Sequence, residues 1–122
     1  MQVTELFRRG IVVPLTDRSA EQLSRMWVDD FATVEFLPIV DQSLFDEIWQ
    51  ANVFQSLNSA CSTLIDDYEE AVLQPDVLER AISTLSASQR SVKEPAVELF
   101  VESLIAICRS AQEKHRPVYF VL

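Results

Sequence analysis

One histidine, two cysteines and nineteen carboxylates are the side chains of this 122-residue sequence best suited to chemistry. His115 lies between Lys114 and Arg116 at the end of a predicted helix. The negative end of the helix dipole favours a charged imidazolium there, so the residue reads as a solvated cap rather than a general base. A Ser-His-Asp triad would have to use it, and no glycine-rich elbow surrounds any serine. Cys61 and Cys108 sit on the apolar faces of predicted helices, without C-x-x-C or H-x-x-x-H spacing for zinc. No Glu-x-x-His pair offers a di-iron site. Asp66-Asp67 and Glu69-Glu70 lack the glycine-containing loop that a calcium site requires. The pairs Glu98/Glu102 and Asp66/Glu70 lie opposite apolar stripes, where carboxyls stay solvated and ordinary in acidity. No P-loop or dinucleotide fingerprint is present. Neither enzymatic activity, nor a metal, nor a cofactor is expected.

What does stand out is where the charge lies. Between Arg25 and Arg80 there is no Lys or Arg, yet the stretch carries Asp29, Asp30, Glu35, Asp41, Asp46, Glu47, Asp66, Asp67, Glu69, Glu70, Asp76 and Glu79. The net charge of −9 thus divides into −12 over residues 26–79 and +3 over the rest. Such a field repels nucleic acid and anionic membranes and attracts cationic surfaces. No apolar run of about 18 residues suggests a membrane span, and the N-terminal residues do not read as a signal peptide. A cytoplasmic location with two buried free thiols is expected.

The remaining composition fits one domain over residues 1–122, with seven Phe, two Trp and two Tyr to fill a core. A single glycine, Gly10, favours helices over hairpin-rich sheets. Ser19-Ala20-Glu21-Gln22 has capping-box spacing and predicts a helix from Ser19 to Asp30. Asp41-Gln42-Ser43 signals a second start, with Asn52 as a point of bend or restart. Val53, Leu57, Ala60, Cys61, Leu64, Ile65, Tyr68, Ala71 and Val72 then keep a helical period, predicting a helix over Val53–Leu73. Pro75 should end it and open another to Ser86. Ser86–Glu94 reads as a loop, and Pro95 opens a last helix to Glu113. The segments Ile11–Leu15 and Val118–Leu122 read as strands, the second expected to be paired, with the first as a candidate partner and their meeting left open; Phe31–Leu37 is the candidate third. The expected fold is α+β and helix-dominated, with four to five helices and a small two- or three-stranded sheet; an all-α bundle is the alternative.

One feature conflicts with local physics. Asp66, Asp67, Glu69 and Glu70 would crowd the negative end of the predicted helix, with no base in that helix to pair them. A local cost of this kind is sometimes retained for binding. Trp27 and Phe31, beside Asp29 and Asp30, are the aromatics best placed to anchor a partner within the acidic stretch. These eight residues are the candidate partner-binding set. The reading is a non-enzymatic module whose acidic face engages a basic protein, as an immunity protein or antitoxin would engage a cationic toxin. The alternative is a structural helical domain that self-associates or docks into a larger assembly.

Overall fold

The computed structural model describes residues 9–67 and 70–122. Four strands, β1 (Gly10–Pro14), β2 (Val34–Pro38), β3 (Glu70–Leu73) and β4 (Val118–Val121), form one antiparallel sheet in the order β2-β1-β4-β3. The two segments read as strands, far apart in sequence, do meet and are the two central strands. Gly10 faces Val121, Ile11 faces Phe120 and Val12 faces Tyr119. The third expected strand is β2, and β3 adds a fourth, so the sheet exceeds the two or three strands expected. The α+β expectation holds, and the all-α alternative does not.

Five α-helices accompany the sheet among the described residues: α1 (Asp17–Leu23), α2 (Gln42–Gln50), α3 (Val53–Cys61), α4 (Leu78–Gln89) and α5 (Pro95–Lys114). Strand residues alternate between faces. On one face Ile11, Val13, Leu73, Val118 and Phe120 meet the apolar sides of α2 to α5 in the main core. On the other, Val12 and Val34 pack with Leu23 and Val28 in a smaller cluster. Phe54 is fully buried at the centre of the main core. Its ring lies 5.9 Å from Phe45, 6.2 Å from Phe100 and 6.0 Å from Phe120, the last two edge-on.

Helix starts follow local chemistry. Asp41 caps α2 by accepting from the Leu44 amide at 2.9 Å. Asn52, at φ 65°, separates α2 from α3, the restart expected there. Pro75 opens a 3₁₀ turn (Pro75–Val77) that leads into α4, which runs three residues past Ser86. Pro95 opens α5, and exposed His115 caps its end in a left-handed conformation.

Two helices differ from expectation. The cap of α1 is Thr16: its hydroxyl accepts from the Ser19 amide at 3.0 Å, while Ser19 Oγ accepts from the Thr16 amide at 3.1 Å. Ser19 is wholly buried and also donates to the Thr33 carbonyl at 2.9 Å, a tertiary bond that fixes its place inside the first turn. The helix stops at Leu23 because Gln22 and Leu23 turn inward and Met26 takes a left-handed φ of 64°. More consequentially, the expected Val53–Leu73 helix ends at Cys61, and residues 70–73 are strand β3. The Asn58 side chain takes over the chain there. Its Oδ1 accepts from the Ile65 amide at 2.7 Å and from Thr63 Oγ1 at 2.9 Å, and its Nδ2 donates to the Ile65 carbonyl at 2.9 Å.

The lone glycine has a steric reason. A Cβ on Gly10 would stand 2.4 Å from the Leu37 carbonyl oxygen and 2.8 Å from the Phe36 ring. Truncating Phe54 to Ala removes the hub of the aromatic cluster and is expected to cost about 3–5 kcal/mol. Denaturant titration checks this; a loss below about 1 kcal/mol would mean that the core closes over the gap.

Candidate protein-interaction surface

Neighbouring strands place Pro38, Gly10, Val121 and Glu70 in one row across the sheet. Beyond that row, Arg9 leads into β1 and β2 is followed by Ile39 and Val40. The Arg9 guanidinium bonds Asp67 and donates to Gln42 Oε1 at 2.7 Å, and it stacks 4.7 Å above the Phe45 ring. Gln42 in turn donates to Asp46 at 2.9 Å and to Asp67 at 3.2 Å. One arginine and one glutamine therefore tie the loop after α3 to the start of α2. Asp46 and Asp67 meet there, Asp41 lines the adjoining groove with Arg9, Asp66 precedes Asp67, and exposed Glu70 stands at the same end of the sheet. Among the described residues, Asp41, Asp46 and Asp66 have no Lys or Arg at ion-pair distance.

Two large apolar side chains project from this region. Val40, next to Asp41, is 75% exposed, and Leu64, two residues before Asp66, is 86% exposed. Ile65 is buried and Asn58 holds the loop on both sides of it, so Leu64 is presented on a braced support. A groove of about 410 Å³ opens between Arg9, Phe36, Pro38, Ile39, Val40 and Asp41.

The other expected contact residues lie elsewhere. Asp30 caps the 3₁₀ turn Phe31–Thr33 that enters β2 at its opposite end, accepting from the Ala32 amide at 3.0 Å. Five strand residues, roughly 17 Å, separate the two ends. Asp29 is held by Arg18, with its side chain 14% exposed. Trp27 and Phe31 are half-buried against the second cluster, and the Phe31 ring lies 5.1 Å from Phe36. Of the eight candidates, Asp66 and Asp67 adjoin the Arg9–Gln42 tie and Glu70 stands at the same end of the sheet, while Trp27, Asp29, Asp30 and Phe31 lie toward the other end. Glu69 lies outside the described residues. The sequence reading missed Val40, Asp41, Asp46 and Leu64 as members of the first group. Only the acid-rich composition around them hinted at it, because their meeting depends on Arg9 and Gln42.

Cys61 and Cys108 are buried free thiols, and burial pushes the Cys108 thiol up to about 12, with Cys61 nearby adding to the rise. Such a thiol stays protonated and inert at neutral pH. Among the described residues no cluster of His, Cys, Asp and Glu has the makings of a metal site, and no helix is long and apolar enough to cross a membrane. Comparison with protein-family models, curated proteins and solved structures finds no match to this chain.

The hydrogen bond from Arg18, helped by Gln22, holds the Asp29 carboxyl below its ordinary value. A folded pKa below the unfolded value of about 3.9 stabilises the fold above that pH and loses the contribution as pH falls through the folded value. The stability advantage of the wild type over Asp29→Asn is therefore expected to be constant near neutrality and to vanish at the acid end. Urea titrations across the acid range read this directly, and a gap that persists at the lowest pH would assign the effect to packing.

Proposed function

We propose that this chain is a non-enzymatic protein-binding module whose acidic surface engages a basic protein partner. The observation that carries the reading is the meeting of Asp46 and Asp67 at a single Arg9–Gln42 tie, with Asp41 and Asp66 next to Gln42 and Asp67 in the chain and exposed Val40 and Leu64 close in sequence to them. Carboxylates at such a surface steer a cationic partner into encounter, and exposed apolar side chains supply area that leaves water on contact. An immunity protein or antitoxin that masks the cationic cleft of a toxin is the form of this function that the charge best suits. Its negative surface would compete with a phosphate backbone for that cleft.

Salt tests the reading. A basic partner retrieved from native lysate at low salt should elute in a salt gradient, and its measured affinity should fall steadily as ionic strength rises. Asp41→Asn/Asp66→Asn should weaken it about fivefold or more at low salt, each exposed rim pair being worth up to about 1 kcal/mol. Asparagine caps a helix as well as aspartate, so α2 keeps its start. Affinity indifferent to both salt and these substitutions would overturn the proposal.

A second reading, a self-associating structural module, draws on one observation. Met26, Trp27, Phe31, Phe36, Tyr119 and Val121 pack on the second face of the sheet while only partly buried. Sedimentation equilibrium should then show a concentration-dependent dimer that Trp27→Ser disrupts and Asp41→Asn/Asp66→Asn does not. A monomer at all concentrations sinks this reading.

A further inference from the structure

The outer edge of β2 has been made unfit for strand addition. The Leu15 amide donates to the Thr33 carbonyl at 2.8 Å, and the Ile39 amide to the Arg9 carbonyl at 3.0 Å. Antiparallel alternation between these two bonds turns the main-chain groups of Glu35 and Leu37 toward β1 and those of Val34, Phe36 and Pro38 outward. The Val34 N–H is already spent on the Phe31 carbonyl, and Pro38 has none. Only Phe36 is left to donate along this edge, too little for an added strand. Whatever docks here is recognised by its side chains.

Beside this edge lies the groove between Arg9, Phe36, Pro38, Ile39, Val40 and Asp41. Its volume of about 410 Å³ falls within the roughly 300–1,000 Å³ of ligand-holding clefts. Its walls are mostly apolar. The groove's own cation, Arg9, is engaged by Asp67, Gln42 and the Phe45 ring. Asp41 stands on the rim, and Asp46 and Asp67 follow through Gln42. An apolar slot with carboxylates on its rim is complementary to an apolar side chain flanked by cations.

We infer that this groove seats a segment of the basic partner in which one apolar side chain is flanked by Lys or Arg. The apolar group packs on Phe36, Ile39 and Val40, and the flanking cations meet Asp41 and Asp46. The inference rests on the acidic-surface reading above and adds the sequence character of the segment recognised.

The test uses the full chain and two fluorescein-labelled peptides of equal length and charge, one alternating Lys with Leu and one alternating Lys with Ser. Fluorescence anisotropy at low salt should show the Lys/Leu peptide binding about tenfold more tightly. Val40→Asn, a change at an exposed position, should abolish most of that advantage. Asp41→Asn should weaken both peptides alike. Equal binding of the two peptides, or an advantage that survives Val40→Asn, would overturn the groove while leaving the charge reading standing. Binding of neither peptide would overturn both. A dimer that dissociates in Val40→Asn would identify a second copy of the chain as the occupant and overturn the partner assignment.

Discussion

The pairing of β1 with β4 is the constraint on which the other elements depend. These strands occupy the centre of the sheet, and Ile11, Val12, Val13, Val118 and Phe120 are essentially without solvent contact. Nearly the whole described chain is the loop between them, and closing a loop of about 100 residues costs about 4 kcal/mol by the logarithmic law. Each fully buried large apolar side chain returns about 1.5–3 kcal/mol, so the few residues of this one ladder can offset the closure. Once they do, β2 and β3 have edges to join, and Phe120 lies where Phe54 can reach it from α3. The helices then cover a sheet that they could not have assembled locally.

Charge that is segregated along the sequence is partly mixed in space. Residues 26–79 contain no base, but Arg18 reaches in from α1 to Asp29 and Arg9 from the start of β1 to Asp67. Asp30 and Asp41 serve as caps. Glu35 accepts from Ser110 Oγ at 2.6 Å, and Lys114 donates to that same hydroxyl at 2.9 Å. Several carboxylates thus have structural work at helix starts and between elements. Of the others, Asp46 meets Asp67 through Gln42 near the start of α2, whereas Asp76 and Glu79 stand beside Arg80 at the start of α4.

Elements whose signals are local and complete could be read from sequence. The proline starts, the Asp41 cap, the Asn52 restart and both central strands each follow from a few adjacent residues. The loop after Cys61 could not. Apolar residues at 64, 65, 68, 71 and 72 happen to continue the helical period of α3, and the decisive event is an asparagine side chain bonding seven residues ahead. The crowding of four acids at a helix end was nevertheless a symptom. It arises only if the helix runs on, and it vanishes once the chain leaves the helix at Ser62. A conflict between levels can mark a function, but here it marked a wrong element. The candidate surface was legible only in outline, as acidity without geometry. Val40 and Leu64 carried no signal because exposure is a property of the fold.

Glycine is nearly absent, yet the chain still turns left-handed at Met26, Asn52, Ser62 and His115, with φ between 54° and 65°. A left-handed residue with a Cβ gives up roughly 1–2 kcal/mol in the native state. A glycine there would instead enlarge the ensemble of the unfolded chain, at a cost of roughly 0.4–1 kcal/mol. The first penalty is the larger, so glycine at such a corner is expected to raise stability by up to about 1.6 kcal/mol. Each of these corners therefore holds a small conformational cost in the native state that a glycine would relieve. Side chains thus stand at four bends where glycine would be easier, whereas the glycine is placed at position 10, in an extended strand with no room for a methyl group.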